Sequence, residues 1–260
     1  MKIFYQILIN TLIANFTNNF VWMALTFWVF LETRSVLTTS IVPGVYSIIL
    51  TLLGFWFGSI VDNHKKKSVM LLASTISLCL FIIGLIIVRF TPEHLFTSIT
   101  SITLWIFILI LIFSVVVGNI RNIALSTLVT LLVPEEKRDK ANGLVGTVSG
   151  LAFAVTFVVS GFTLAYTGIT GLLLIAVAFT LVAILHLNSI NIPEREIIHK
   201  TEKPKSIDIK GAILIISGIP GLFALIFFNT INNLLCGVFS ALMDPYGLTI
   251  VPVEIWGILL

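Results

Sequence analysis

The sequence predicts an all-α membrane protein that crosses the bilayer several times. Of its 260 residues, 58% are hydrophobic and only 10% are charged, whereas about a quarter of the residues in a soluble domain are charged. Seven complete apolar windows are long enough to cross the hydrocarbon core as a helix, which takes about 20 residues. Most lysines and arginines lie in alternate connections between these windows. Together these observations exclude a soluble globular protein.

The predicted spans follow one another with short connections. They run over residues 6–31, 38–61, 68–88, 98–133, 144–166, 169–188 and 211–243, and an eighth begins near Glu254. The first is much longer than the apolar core of a signal peptide, which has about 7–15 residues, and no A-x-A-like cleavage site follows it. It is therefore expected to remain in the protein as the first span.

Two of the windows are longer than a helix that spans a bilayer. At about 1.5 Å per residue, residues 98–133 and 211–243 must tilt, project into water or break. Gly218, Pro220 and Gly221 mark the expected bend in the later window.

The distribution of basic residues predicts how the chain is oriented. Twelve of the fifteen lysines and arginines lie at the N-terminus or in every second connection, whereas the opposite connections contain only Arg34 and Arg89. Because basic loops stay in the cytoplasm, this asymmetry places the N-terminus and the basic loops there. The expected location is the cell membrane, with a multi-pass topology. The net charge of +3 is spread among apolar blocks, so no nucleic-acid partner is expected.

The spans fall into two groups. Residues 1–190 are predicted to form a six-helix bundle, residues 191–210 a hydrophilic cytoplasmic linker, and residues 211–260 the start of a second bundle. A weak internal repeat supports this division, because asparagines recur at i, i+3 and i+4 in spans one and seven at an offset of 214 residues. An even number of spans separates the two copies, so the repeat is parallel, an arrangement found in many transporters.

The polar residues of the first span share one helical face. Asn15, Asn18 and Trp22 follow at helical spacing, while apolar side chains cover much of the rest of the helix. This face either lines a central cavity, with amide donors and an aromatic platform, or packs against neighbouring helices. The matching asparagines of span seven favour the cavity. The cavity residues predicted on these two spans are Asn15, Asn18, Asn19, Trp22, Asn229, Asn232 and Asn233.

Ionisable side chains are scarce in the windows. Arg121 lies clearly inside one, and a charge at the centre of a membrane helix costs at least about 2.5 kcal/mol unless it faces water or a partner. Arg121 is therefore a further cavity candidate, although the alternative that it extends to the cytoplasmic interface is equally open. Asp244 and Pro245 are predicted to form a turn after span seven. No proton-carrying carboxylate is then expected in spans one to seven, and Glu254 is the nearest candidate.

A motif stands at the connection between spans two and three. Residues 58–67 read Gly-Ser-Ile-Val-Asp-Asn-His-Lys-Lys-Lys and resemble the loop G-x-L-A-D-R-x-G-R-K of the major facilitator superfamily. In that family the Asp and the basic residues lock two bundles together on the cytoplasmic side. The alternative is a positive-inside cluster with a solvated Asp. The gate residues that the resemblance implies are Gly58, Asp62, Lys65, Lys66 and Lys67.

A second resemblance follows span four. Residues 133–144 read Val-Pro-Glu-Glu-Lys-Arg-Asp-Lys-Ala-Asn-Gly-Leu and are similar to the V-P-x-E-x-x-x-x-A-N-x-L segment of macrolide-efflux-type exporters, which are drug:proton antiporters of the same superfamily. Thr156-Phe157 and Ser160-Gly161 stand where antiporters often have Gly-Pro and Gly-Gly. The resemblance implies a monomer of about twelve spans, of which this chain would be a part truncated after span seven to eight.

The resemblance also implies a function. By this resemblance the protein would be a secondary active transporter surrounded by membrane lipid. It would export a hydrophobic or amphipathic small molecule by rocking alternating access. A proton is the candidate coupling ion. The alternative is a non-transporting fragment or scaffold that lacks a complete second bundle. An enzyme, a metal and a cofactor are not expected, because the four histidines are scattered and no H-E-x-x-H motif or Gly-rich phosphate loop occurs.

Overall fold

The computed structural model of the chain describes residues 2–193 and 217–260. All regular structure in these two ranges is helical, which confirms the predicted all-α fold. A 3₁₀ turn, Glu135–Lys137, precedes the seventh helix. The predicted linker falls largely on residues 194–216, which lie outside the described ranges. The helices are α1 (Lys2–Thr33), α2 (Val36–Asn63), α3 (Lys66–Phe90), α4 (His94–Thr97), α5 (Ile102–Gly118), α6 (Ile120–Leu132), α7 (Arg138–Ser189), α8 (Leu222–Ile250) and α9 (Val253–Leu259).

Five helical stretches of the described residues are long and apolar enough to cross a membrane. One of them, Glu135–Ser189, has 55 residues, and a straight helix of that length would measure about 80 Å, more than twice the hydrocarbon thickness. It breaks at Gly168, whose φ of 62° and ψ of −170° are not helical, so it supplies two crossings. The other four stretches are Val36–Gly54, Lys66–Phe90, Ile102–Leu132 and Leu222–Ile250.

Helix α1 has 32 residues and forms the centre of the bundle. Ten of the eleven side chains from Phe20 to Phe30 are buried, with Trp22 half-buried. The helix packs against α2, α5, α6 and α7. The polar side chains between Asn10 and Asn19 are buried or half-buried, which explains how α1 carries them, because neighbouring helices cover them in large part. The outer helices, by contrast, expose large apolar side chains such as Leu52 and Leu131, as expected where lipid is the solvent.

The two ends of the bundle differ in their basic residues. We call the end that carries Lys2, the turn between α2 and α3 and the turn before α7 the basic end, and the opposite end the far end. Arg34 and Ser35 form the turn between α1 and α2 at the far end. Arg34 has a left-handed φ of 51°, and the Ser35 hydroxyl accepts a hydrogen bond from the Thr38 N–H at 3.2 Å, which caps α2.

Both overlong windows contain the expected break. The fourth divides at Asn119, between the end of α5 at Gly118 and the start of α6 at Ile120. In the seventh, Gly221 has a left-handed φ of 80° and α8 begins at the next residue. The predicted bend is therefore confirmed, since glycine adopts this conformation without the steric cost that a side chain would add.

The predicted turn at Asp244 and Pro245 is wrong, because α8 continues through both residues to Ile250. A proline has no N–H to give to the carbonyl four residues before it, which here is that of Ala241. The Ser40 hydroxyl of α2 donates to this carbonyl at 3.2 Å instead. Asp244 is therefore a carboxylate inside the seventh span, and the expectation of none there is wrong as well. Helix α9, which corresponds to the predicted eighth span, begins at Val253, next to the predicted start at Glu254.

Candidate functional site

The turn between α2 and α3 presents the residues of the predicted gate at the basic end. Asp62 and Lys65 are exposed. A Cβ added to Gly58 would meet no atom within 4 Å. Lys66 is buried, and its ammonium donates to the His64 carbonyl at 3.4 Å. Asp62 and Lys65 of the motif are therefore exposed, whereas Lys66 and Lys67 contact the rest of the protein.

Lys67 joins this turn to the end of α7. Its Nζ donates to the carbonyl of Asn188 at 2.9 Å and to that of Ile190 at 2.6 Å. The last carbonyls of a helix have no partner within the helix and carry the negative end of its dipole. The Lys67 ammonium donates hydrogen bonds to these carbonyls, and its positive charge interacts favourably with the helix dipole. One residue of the predicted gate therefore holds two spans of the same bundle together.

Arg121 lies in the interior of the bundle rather than at an interface. It is 4% exposed. Its guanidinium donates to the Met70 carbonyl at 3.2 Å and to the Ser74 hydroxyl at 2.5 Å, both on α3, and to Asn10 Oδ1 on α1. The guanidinium of Arg121 therefore links its own helix, α6, to α1 and α3. Its side chain therefore does not extend to the surface at the basic end, which was the alternative interpretation.

Asn10 carries the network on to a fourth segment. Its Nδ2 donates to the Ala183 carbonyl of α7 at 2.7 Å and lies 3.4 Å from His186 Nδ1. Within the described residues every partner of the Arg121 guanidinium is neutral, and Arg121 Nε has no hydrogen-bond partner. The site is thus an uncompensated positive charge that is dispersed over amide, hydroxyl and carbonyl oxygens.

A small cavity adjoins Arg121 and includes one of the predicted cavity asparagines. Its volume is about 30 Å³, which is room for about one water molecule. Asn18 lies on its wall and packs against Gly118 at the break between α5 and α6. The structure therefore brings two predicted site residues, Asn18 and Arg121, to one place.

The remaining predicted residues of α1 point to other neighbours. Asn15 Nδ2 donates to the Ser149 hydroxyl of α7 at 3.4 Å, and Asn19 is half-buried. Trp22 packs against Tyr46 of α2 with ring centroids 4.5 Å apart. The Tyr46 hydroxyl in turn accepts from Asn119 Nδ2 at 2.9 Å. These contacts fix the aromatic platform of α1 against α2.

The three asparagines of α8 lie apart from those of α1. All described side chains from Phe223 to Phe239 are exposed. Asn233 Nδ2 donates to the Asn229 carbonyl at 2.7 Å, and Asn232 Oδ1 accepts from the Cys236 thiol at 3.2 Å. Their hydrogen bonds therefore run along α8 itself.

The contacts of α8 and α9 with the first bundle, α1–α7, lie near the far end. Besides the bond from Ser40 to Ala241, α9 crosses α7 where two glycines face each other. A Cβ added to Gly161 would lie 2.6 Å from the Val253 carbonyl oxygen, and one added to Gly257 would lie 2.5 Å from the Phe157 carbonyl oxygen. Only glycines allow the two backbones to approach this closely.

A second cavity lies between the first bundle and α8–α9. Its volume is about 310 Å³, within the range of small-molecule sites. Asp244 supplies its ionisable side chain, and the Asp244 carboxylate also accepts from Trp256 Nε1 at 3.2 Å. Helices α1, α2, α7 and α8 contribute to its walls, together with Leu260, the residue after α9. The residues around it are Trp22, Met23, Thr26, Pro43, Phe153, Phe157, Phe239, Met243, Asp244 and Leu260.

Sequence reasoning did not identify several residues of these sites. Asn10 and Ser74 surround Arg121 but precede it by 111 and 47 residues, so no local spacing connects them. The sequence signal that could have identified Asn10 and Ser74 is that each is a polar residue within an apolar window. Asp244 was missed because the adjacent Pro245 was interpreted as part of a turn. Within the described residues no group of three or more His, Cys, Asp or Glu side chains could hold a metal ion.

Comparison with known families agrees with this architecture. The profile of the family described as the Major Facilitator Superfamily matches residues 7–260, which is nearly the whole chain. No curated protein and no solved structure shows significant similarity to the sequence. Because the family match extends over far more than half of the chain and includes the spans, the turn at residues 58–67 and both cavities, the chain belongs to the major facilitator superfamily of membrane transporters.

Proposed function

We propose that the protein is a secondary active transporter that exports a hydrophobic or amphipathic small molecule by rocking alternating access. The cavity of about 310 Å³ between the first bundle and α8–α9 carries this proposal. Its walls are largely aromatic and apolar, and they come from both groups of helices. A site shared by two groups of helices changes its access when one group tilts against the other.

The distribution of contacts supports the same mechanism. Helix α8 meets α2 at Ser40, near the far end, and is exposed over residues 223–239 toward its start. The described contact between α2 and α8 therefore lies near the far end, and the start of α8 is exposed. If the basic end is cytoplasmic, as the lysines and arginines indicate, contact at the far end favours an inward-facing state that could take up solute for export.

Energised efflux from cells tests the proposal. Cells that express the chain are loaded with the neutral amphipathic dye N-phenyl-1-naphthylamine, and an energy source is then added. We expect faster loss of the dye than from cells that carry the empty vector, and a protonophore to abolish the difference if a proton gradient drives export. Equal dye loss in both cell types would contradict transport and favour the non-transporting scaffold.

A disulfide across the far end is expected to stop transport. Cysteines at positions 40 and 241 replace Ser40 and Ala241, whose hydroxyl and carbonyl oxygens lie 3.2 Å apart. Oxidation should join α2 to α8, prevent the far end from opening and reduce efflux by at least about tenfold, with recovery after reduction. A control pair at positions 47 and 241 moves the first cysteine about 10 Å along α2 and should not cross-link. Full efflux by the oxidised pair would exclude opening at this point.

Removing the Lys67 side chain is expected to slow transport without preventing membrane insertion. Lys67→Ala deletes both hydrogen bonds to the end of α7 and should lower stability by about 1 kcal/mol. Lys66→Ala combined with Lys67→Ala should reduce efflux further if the turn acts as the gate. Lys140→Ala is the matched control because Lys140 is an exposed lysine of α7 outside the motif. The gate proposal fails if the double variant is inserted normally and transports at the original rate.

A further inference from the structure

The cavity between the first bundle and α8–α9 has a chemical character that narrows the substrate class. We infer that it binds a hydrophobic organic cation of single positive charge, with Asp244 as the counter-charge. This inference rests on the transport function proposed above and specifies its substrate. It depends on three features of the described cavity lining: one carboxylate, a wall of aromatic rings and an absence of competing cationic side chains.

Asp244 supplies the charge and is held in place. It lies on α8 next to Pro245, and its Oδ1 accepts a hydrogen bond from Trp256 Nε1 of α9 at 3.2 Å. This bond fixes the orientation of the carboxylate. One oxygen is occupied by the indole, which leaves further acceptor capacity for a ligand. No lysine, arginine or histidine is among the described residues that line the cavity.

Aromatic rings surround the carboxylate. Trp22 of α1, Phe153 and Phe157 of α7 and Phe239 of α8 line the same cavity. The Phe153 and Phe157 rings meet edge to face, with centroids 4.7 Å apart. A cation over an aromatic face gains about 0.5–2 kcal/mol, and the apolar rings favour the hydrophobic part of the ligand. An anion would instead face both the carboxylate and the negative faces of the rings.

The size of the cavity agrees with a small organic ligand rather than a metal ion or a peptide. A volume of about 310 Å³ is near the lower limit for small-molecule pockets. A single carboxylate with one oxygen already bonded does not provide the six to eight oxygen ligands of a Ca²⁺ site. The chemistry therefore favours a tertiary or quaternary ammonium, or a phosphonium, with aromatic or aliphatic substituents.

Ligand binding to the purified full chain in detergent tests the inference. The probe is tetraphenylphosphonium, and triphenylphosphine oxide is the neutral comparison ligand. Binding is followed by tryptophan fluorescence, because Trp22 lies in the cavity wall and Trp256 bonds to Asp244. The unaltered protein should bind the phosphonium more tightly than the oxide. Equal affinity for the two ligands would overturn the inference without any substitution.

Asp244→Asn provides the sharper test. Asparagine keeps an oxygen that can accept from Trp256 and removes only the charge. We expect the Kd for tetraphenylphosphonium to rise by at least about tenfold and the Kd for triphenylphosphine oxide to stay unchanged. Asp244→Glu, which retains the charge, should keep the preference for the cation, and Glu136→Gln at the exposed turn before α7 should change neither Kd. An equal loss for both ligands, or no loss for the cation, would overturn the assignment.

The two proposals fail in distinguishable ways. Binding in detergent requires no transport, so a charge-dependent preference for the phosphonium in a chain that exports no dye would remove only the transport proposal. Export of the neutral dye by a chain that shows no preference for the cation would remove only the role of Asp244.

Discussion

Alanine at Gly161 or at Gly257 is expected to separate α9 from α7 and to abolish export. The added Cβ would lie 2.6 Å from the Val253 carbonyl oxygen in the first case and 2.5 Å from the Phe157 carbonyl oxygen in the second. Both obstacles are backbone atoms, so no side-chain rotation can relieve the clash, and the helices must move. Overpacking of this kind costs about 1–3 kcal/mol. Thermal unfolding in detergent and energised dye efflux measure the two effects.

The matched control is Gly150→Ala on the same helix. A Cβ at Gly150 would meet no atom within 4 Å, and alanine is favoured over glycine inside a helix by up to about 1 kcal/mol. This variant should therefore be as stable as the original protein or more stable, and should transport normally. If Gly161→Ala behaves in the same way as Gly150→Ala, the close approach of α7 and α9 is not required for stability or for export.

At this crossing α7 contacts different helices on two sides. Ser160 and Gly161 are both small, and each serves a different neighbour. The Ser160 hydroxyl donates to the Phe20 carbonyl of α1 at 3.2 Å, while Gly161 faces α9. Helix α7 is thus hydrogen-bonded to the first bundle on one side and meets α9 through backbone contact on the other. Val253 of α9 is also part of the hydrophobic core of the bundle, so the crossing combines close backbone contact with apolar side-chain packing.

Most of the fold could be predicted because hydrocarbon imposes a simple rule on sequence. A span must be a continuous apolar helix of sufficient length, and the windows therefore coincide with α1–α3 and with the later helices. The breaks were predictable where glycine and proline mark them, as at Gly221. The window at residues 98–133 was expected to tilt, project into water or break, and the structure shows a break at Asn119.

The errors arose where tertiary contacts override local preference. Asp244-Pro245 has the composition of a turn, yet the Ser40 hydroxyl satisfies the carbonyl that Pro245 leaves free, and α8 continues. That partner is 201 residues from Ala241 in sequence, so no window around Pro245 contains the information. As a result, the continued helix places Asp244 in the lining of the cavity between the two groups of helices.

The candidate residues differ in how far the sequence alone could place them. The rule that a charge inside the membrane requires partners draws attention to Arg121, and the structure buries this side chain. The partners themselves follow from helix packing, which aligns Asn10 of α1, Ser74 of α3 and Ala183 of α7 at the level of Arg121. The resemblance between the asparagines of spans one and seven predicted a common cavity, whereas the structure leaves those of α8 exposed.

Leucine at Asn10 is expected to destabilise the first bundle strongly, because it takes an acceptor from the buried Arg121. Hydrogen bonds to charged groups are worth about 1.5–3 kcal/mol, and a charged group that loses its partner costs more than a neutral one. Arg121→Met should cost less than Asn10→Leu. The Ser74 hydroxyl still donates to the Met70 carbonyl at 2.9 Å after the guanidinium is removed, so both former partners on α3 remain paired.

The double variant separates this explanation from a general loss of packing. Asn10→Leu combined with Arg121→Met replaces a polar pair by apolar side chains and should be more stable than Asn10→Leu alone, with a coupling energy of at least about 1 kcal/mol. Asn15→Leu on the same helix is the control, since Asn15 forms only a 3.4 Å hydrogen bond to Ser149, and it should shift the melting temperature little. Additive shifts for the two substitutions would mean that Arg121 does not depend on Asn10, and the charge would then have to be stabilised by its contacts with α3.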